Sequence, residues 1–207
     1  MTEREEDILR TLTHRVRYLS ADQLTRGWWK PGRSGTVGMR RTVRSLIARK
    51  LLAAQRLPVE PEIDLRQPIL TWLPDDPDPE PGPISRLLQN RWTAHASSTT
   101  IVFATWTAAR LFGGYGGGIK NSLQVTHDLH LSQIYLKLRA ADPDAAARWE
   151  TEDVREHTRH EKVPDVYVRD AEGEVERVIE FGGKYDAARV WKFHAFCADR
   201  RYPYELW

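Results

Sequence analysis

The chain has 207 residues, enough for one ordinary domain or two small ones, and 41% of them are hydrophobic, so it can bury a core. Mean hydropathy is −0.58 and the apolar runs are short, which excludes a membrane-spanning helix. The first residues are polar, without the apolar stretch of a secretory signal, and the single cysteine, Cys197, excludes an intramolecular disulfide and a cysteine-cluster zinc site. A cytoplasmic protein is the simplest expectation.

The charge is unevenly distributed along the chain. The net charge is only +2, yet Asp22 is the only acid between Arg10 and Arg56, a span that is rich in arginine. A local excess of positive charge suits a polyanionic partner, most often nucleic acid. The C-terminal half holds most of the acids, as expected if it binds a metal or is merely solvated.

The chain is predicted to begin with three helices. Apolar residues recur at three- and four-residue steps over 3–19, and Ser20 with Asp22 predicts a short second helix over 21–29. After a turn over 30–35, a third helix runs from the capping residue Thr36 to about Lys50. Its predicted inward positions are Val37, Val43, Leu46 and Ile47, and its opposite face carries Arg40, Arg41, Arg44 and Arg49.

Two apolar stretches after the third helix, 53–57 and 68–73, are typical of strands. Three helices followed by a two-stranded ribbon is the winged helix-turn-helix plan, in which the third helix enters the major groove of DNA. The pattern therefore predicts a partner, double-stranded DNA, and the alternative is that the basic face is simply solvated. The expected DNA-binding residues are Lys30, Arg33, Arg40, Arg41 and Arg44.

The middle of the chain is predicted to connect two larger parts. Residues 74–83 are rich in proline and acid, so we expect an extended, solvated linker. A helix over 84–94, a strand over 99–104 and a short helix over 107–112 follow. The glycine-rich loop over 113–118 lacks the lysine-serine ending of a phosphate-binding P-loop, so a nucleotide cradle is not expected there.

The last third predicts the order helix, three strands, helix, strand. The helices cover 126–141 and 185–200, and the strands cover 148–154, 163–168, 175–181 and 202–207. Asp165 begins the second strand and Glu180 ends the third, so the two carboxylates are expected to lie opposite each other across an antiparallel pair. With Lys184 just beyond, they form a candidate site for a divalent metal that activates water next to a phosphate.

This order, with Pro164-Asp165 opening one strand and Glu180 closing the next, resembles the PD-(D/E)XK nuclease core. The resemblance implies that Asp165, Glu180 and Lys184 are catalytic and that Asp165, Glu180 and an extra acid from the first helix, Asp128, bind Mg²⁺. One departure is clear, because the family lysine lies two residues after the second acid, where this chain has Gly182. A bulge at Gly182-Gly183 would let Lys184 take that role.

Over nearly its full length the chain also resembles the replication-relaxation family of bacterial mobile-element proteins. The resemblance rests on Ala-Ala-Arg-Leu-Phe-Gly-Gly over 108–114, Thr-His-Asp-Leu over 126–129, Pro164-Asp165, Ile179-Glu180, and the segments 192–197 and 202–207. It implies a DNA-binding head, a nuclease-like tail, and partners among plasmid replication or transfer proteins.

Other metal-ligand and nucleophile candidates have a plainer structural explanation. His127 and His130 lack a third ligand at zinc spacing. His194 and Cys197 are expected to pack inside a helix interface. The acids of the first core strand, Glu150, Glu152 and Asp153, are expected to be solvated.

The sequence therefore predicts an α/β (α+β) protein with a winged helix-turn-helix domain over 1–73, a bridging segment over 74–125 and an αβββαβ nuclease-like domain over 126–207. Three functions remain open: DNA binding in replication, relaxation or transfer of a mobile element; a Mg²⁺-dependent endonuclease; and a non-catalytic regulator. In the third, the nuclease-like core provides contacts for a homodimer or a partner protein.

Overall fold

The computed structural model describes residues 1–119, 121–151 and 164–207, and within them the chain is a mixed α+β protein with two sheets, as predicted. The elements are α1 (Glu3–His14), β1 (Leu19–Ser20), α2 (Ala21–Trp28), α3 (Arg33–Ala48), β2 (Leu52–Val59), β3 (Leu70–Trp72), α4 (Pro81–Asn90), β4 (Ser97–Ala104), α5 (Trp106–Phe112), α6 (Val125–Ala141), α7 (Pro143–Ala147), β5 (Trp149–Thr151), β6 (Val166–Arg169), β7 (Val175–Glu180), α8 (Ala187–Asp199) and β8 (Tyr204–Leu206).

Two compact units interleave along the sequence. Unit 1 consists of Met1–Glu62 and His95–Lys137, and unit 2 consists of Ile63–Ala94 and Leu138–Trp207. Each unit is therefore assembled from two separate segments, whereas the sequence reading divides the chain once at 73 and once at 125. In the described residues, no helix is both long enough and apolar enough to cross a membrane.

Unit 1 contains a three-stranded antiparallel sheet in the order β1-β4-β2. β2 pairs with β4 along its whole length, from Leu52 opposite Ala104 to Val59 opposite Ser97. The prediction that 68–73 supplies the second strand of this ribbon is wrong. The physical reason is length and burial: β4 matches all eight residues of β2, whereas the three-residue β3 buries Trp72 in the core of unit 2.

Local side-chain signals fix the starts of α1 and α2. Thr2 with Glu5 and Ser20 with Gln23 form reciprocal capping boxes, so both helix starts satisfy two otherwise unpaired backbone donors. α1 ends at His14, short of the predicted 19, because the following residues lead into strand β1. α3 begins earlier than predicted, at Arg33, with Gly32 at a φ of +115° as its N-cap.

Two glycines in α3 allow the end of α2 to approach closely. A Cβ at Gly35 would collide with the Lys30 carbonyl, and one at Gly38 would lie 2.8 Å from Nε1 of Trp29. Trp29 thus packs on α3, with the Arg4 guanidinium 5.0 Å from its ring centroid, while Trp28 donates from Nε1 to Asp7 at 2.7 Å. The Trp28-Trp29 pair thus anchors the turn between α2 and α3.

Unit 2 contains a five-stranded sheet in the order β3-β8-β7-β6-β5. β8 runs parallel to β7, and the other neighbours are antiparallel. The predicted strand at the end of this sequence, β8, is therefore internal to the sheet, and Leu206 and Trp207 are buried, at 0% and 6% exposure. The core that covers one sheet face includes Trp72, Leu88, Val178, Phe193, Cys197 and Tyr204.

The acidic segment over 74–83 is mostly exposed, as expected of a solvated linker, but it makes contacts within unit 2, and α4 begins inside it at Pro81. Both carboxylate oxygens of Asp75 accept from Arg201, at 3.1 and 2.9 Å. Asp78 lies 3.1 Å from Nε2 of the buried His194, and Asp76 accepts from the Leu73 backbone amide. The segment has cationic and polar partners at and near α8, and composition alone did not reveal them.

The ends of two predicted strands fall outside the described residues. β5 covers only the start of the predicted 148–154, so the predicted solvation of Glu152 and Asp153 concerns residues outside the described ranges. Val163, the predicted first residue of the next strand, also lies outside them. Glu150 is described, and it accepts from Arg169 at 2.7 Å across the β5–β6 pair.

Candidate functional site

The predicted DNA-contacting arginines lie on the exposed face of α3. Arg33, Arg40, Arg41 and Arg44 are all exposed, and Lys30 is exposed in the preceding turn. The buried stripe of the same helix is formed by Gly35, Met39, Val43 and Leu46. Since successive residues of an α-helix are about 100° apart, this stripe lies on the side opposite the arginines.

Two predicted inward positions of α3 are in fact exposed. Val37 is 59% exposed and Ile47 is 39% exposed, whereas Val43 and Leu46 are buried as expected. Val37 is exposed because the side of α3 that packs against the end of α2 is formed by Gly35 and Gly38. The apolar stripe is thus narrower than the sequence pattern indicated.

The cations on the exposed face of α3 and in the preceding turn also differ from nearby arginines in their ion pairing. Arg10 pairs with Glu6 at 2.9 Å, Arg26 with Glu62 at 2.5 Å and Arg49 with Glu5 at 3.4 Å. Within residues 1–119, 121–151 and 164–207, no carboxylate forms such a pair with any cation of the following set: Lys30, Arg33, Arg40, Arg41 and Arg44. Among the described residues their charge is not neutralised by a carboxylate, so this face of the helix is positively charged.

The predicted carboxylate pair is brought together in unit 2. Val166 is paired with Ile179 in the antiparallel β6–β7 ladder, so the next residues outward, Asp165 and Glu180, face each other. The Asp165 backbone amide donates to Oε2 of Glu180 at 3.0 Å, and the Phe181 amide donates to Oδ2 of Asp165 at 2.8 Å. Each carboxylate therefore fixes the backbone of the opposite strand.

A tyrosine that the sequence analysis missed completes this cluster. The Tyr185 hydroxyl donates to Oε1 of Glu180 at 2.5 Å, so both oxygens of a side chain that is only 1% exposed accept a protein hydrogen bond. Burial raises the pKa of Tyr185 well above its ordinary value, and the negative charge of Glu180 raises it further. The only sequence signal for this contact is a tyrosine in the turn five residues after the acid.

In the PD-(D/E)XK pattern that the sequence resembles, a lysine lies at the position that Gly182 occupies here. The structure has no room for a lysine side chain at this position. A Cβ at Gly182 would lie 3.0 Å from both Leu88 and Leu206, so a longer side chain would displace core leucines. Lys184 is exposed, and its ammonium lies 5.0 Å from the ring centroid of Trp92. The Gly182 carbonyl accepts a hydrogen bond from the Tyr185 amide in a tight turn. This turn orients the Tyr185 side chain towards Glu180.

The third predicted metal ligand belongs to unit 1. Asp128 is 6% exposed, and its carboxylate lies 3.5 Å from both Nη1 of Arg17 and Nδ1 of His127. Nδ1 of His130 contacts the Thr126 carbonyl at 2.7 Å within the same helix. His194 and Cys197 are buried in unit 2, at 2% and 0% exposure, in agreement with their predicted packing role.

Both carboxylates of the pair accept hydrogen bonds from the protein. Magnesium prefers octahedral oxygen coordination and usually retains several waters, which require open space. Glu180 is enclosed, and its two oxygens already accept from Asp165 and Tyr185. Among the described residues, no group of three or more histidine, cysteine, aspartate or glutamate side chains is arranged to hold a metal.

Comparison of the chain with known proteins finds no matching family model, curated protein or solved structure.

Proposed function

We propose that this protein binds double-stranded DNA through the exposed arginine face of α3. The observation that carries the proposal is the row of exposed arginines without a carboxylate partner among the described residues, next to arginines that do have one. An unneutralised row on one helix face can release counterions from DNA phosphates, which is the main source of affinity for the duplex.

The arrangement of unit 1 supports the same proposal. The order of α1, β1, α2, α3, β2 and β4, with β4 between β1 and β2, agrees with a winged helix-turn-helix in which α3 is the recognition helix. The β2–β4 ribbon would then be the wing. The role in replication, relaxation or transfer of a mobile element is part of the proposal and rests on the sequence resemblance.

The test compares two triple variants that remove equal charge. Arg40, Arg41 and Arg44 are replaced by alanine in one, and the ion-paired arginines Arg10, Arg26 and Arg49 are replaced in the other. Binding to a duplex is measured by fluorescence anisotropy over a salt series. We expect the first variant to bind much more weakly and to lose up to about 2.7 from the salt slope, since each phosphate contact contributes about 0.9.

The control variant should retain most of the affinity and most of the slope. Equal losses in both variants would mean that only total charge matters, and an unchanged first variant would refute α3 as the binding element. Circular dichroism of both variants checks that the fold is intact.

A Mg²⁺-dependent endonuclease is the second candidate, favoured by the juxtaposition of Asp165 and Glu180 across β6 and β7. The strand order of unit 2, with β8 parallel to β7, agrees with the nuclease-like core that the sequence resembles. The test is cleavage of plasmid DNA with Mg²⁺ or Mn²⁺, comparing the parent with Asp165→Asn. Cleavage lost only in the variant supports this function, and a parent without cleavage favours a non-catalytic scaffold for a homodimer or partner protein.

A further inference from the structure

A valine occupies the centre of the basic face of α3. Val37 is 59% exposed, and exposed arginines surround it on the same helix. At about 100° per residue, positions 33, 40 and 44 lie within roughly 60° of position 37 around the helix axis. The buried residues Met39 and Leu46 lie on the other side of the helix. Val37 is therefore an apolar spot within a row of positive charge.

The buried stripe of α3 does not require a valine at this position, and helix stability does not favour one. Its side chain lies outside the buried stripe, and the close contact with α2 is made by Gly35 and Gly38. A β-branched residue also lowers helix propensity relative to alanine. A valine here thus weakens the helix slightly and exposes apolar surface, which is consistent with a contact that forms only on binding.

We propose that Val37 contacts the 5-methyl group of thymine in the major groove and makes binding depend on thymine at that position. This inference rests on the proposed DNA binding by α3. The major groove presents the thymine methyl as the apolar feature of an A·T pair, and small apolar side chains are its usual partners. The flanking arginines hold the helix to phosphates or guanine edges, so the valine between them is placed against base edges.

The probe is a duplex that the parent protein enriches from a random-sequence pool. The same duplex is also synthesised with deoxyuridine in place of every thymidine, which removes the methyl groups and keeps the base pairing. Affinities of the parent and of Val37→Ala are measured for both duplexes. Leu111→Ala, at an exposed apolar position of α5 (67% exposed), is the control variant.

We expect the parent to bind the deoxyuridine duplex about fourfold more weakly for each contacted methyl, the factor that corresponds to burial of one methylene-sized group. Val37→Ala, whose shorter side chain reaches the methyl less closely, should show a smaller ratio between the two duplexes than the parent, and Leu111→Ala should show the parental ratio. An equal affinity of the parent for both duplexes, or an unchanged ratio in Val37→Ala, overturns the inference.

The outcome also separates this inference from the proposed function. If the parent binds the enriched duplex and loses binding when Arg40, Arg41 and Arg44 are replaced, DNA binding by α3 stands whatever the methyl ratio. If the parent enriches no duplex and binds none, both the function and the thymine contact are refuted. Thermal unfolding of Val37→Ala should match or exceed the parent, because alanine favours the helix.

Discussion

Replacing Tyr185 by phenylalanine should destabilise unit 2, because it removes the hydroxyl that donates to Glu180. That hydrogen bond is 2.5 Å long, and its acceptor is a carboxylate with only 1% exposure, so water cannot replace the lost donor. A hydrogen bond to a charged group contributes about 1.5–3 kcal/mol, and we expect a loss of that size. For a chain of this length the corresponding fall in Tm is about 3–12 °C.

The assay is urea unfolding followed by tryptophan fluorescence, with Tyr202→Phe as the matched control. No hydrogen bond from the Tyr202 hydroxyl occurs within the described residues, so the control should change stability by less than about 0.5 kcal/mol. In a Glu180→Gln background, Tyr185→Phe should cost only about 0.5–1.5 kcal/mol, because the hydrogen bond is then between neutral groups.

A Tyr185→Phe variant as stable as the parent would refute the structural role of this cluster. A variant that is more stable than the parent would instead indicate a catalytic role for the cluster, because residues kept for catalysis often destabilise the fold that holds them. The sign of the change therefore discriminates between a carboxylate that locks two strands and one that is held for chemistry.

Three further outcomes are expected. Gly182→Ala should lower the free energy of unfolding by about 1–3 kcal/mol, because its Cβ would meet Leu88 at 3.0 Å, and a melting temperature equal to the parent's would contradict this packing. Leu206→Ala should lower the free energy of unfolding by about 2–5 kcal/mol in the same melting assay. Leu87→Ala, at a position that is 59% exposed, should change it very little, and equal losses in the two variants would contradict the assigned core. The stability advantage of the parent over Tyr185→Phe should shrink as the pH rises above about 10. Folding raises the pKa of Tyr185, so its hydroxyl ionises in the unfolded chain at a lower pH than in the folded protein. An advantage that stays constant in urea titrations at higher pH would argue against the raised pKa.

Signals that act over a few residues were readable from the sequence. Ser20 begins α2 as predicted, because the cap and its Gln23 partner lie within one turn. The meeting of Asp165 and Glu180 was also predictable, since a short turn between two strands fixes which residues face each other. In each case the determining interaction is local or propagates along one strand pair.

Signals that depend on distant partners were not readable. The choice of β4 over β3 as the partner of β2 is decided by a strand that lies far along the chain. Likewise, Gly182 and Tyr185 gain their roles from Leu88, Leu206 and Glu180, which are supplied by other elements. The exposure of Val37 follows from how α2 docks, because periodicity defines an apolar stripe but not its width.

The interleaving of the two units determines the order in which the protein can form as it is synthesised. β1 and β2 make no ladder with each other, and the strand that joins them, β4, begins at Ser97, long after β2 ends at Val59. β3 remains unpaired for longer still during synthesis, because its partner β8 spans Tyr204–Leu206. A nascent chain that stops near residue 73 therefore carries three strands with open edges, which are prone to pairing with other chains. The second sheet therefore cannot close until the segment that contains β8 has been synthesised, long after β3 ends at Trp72.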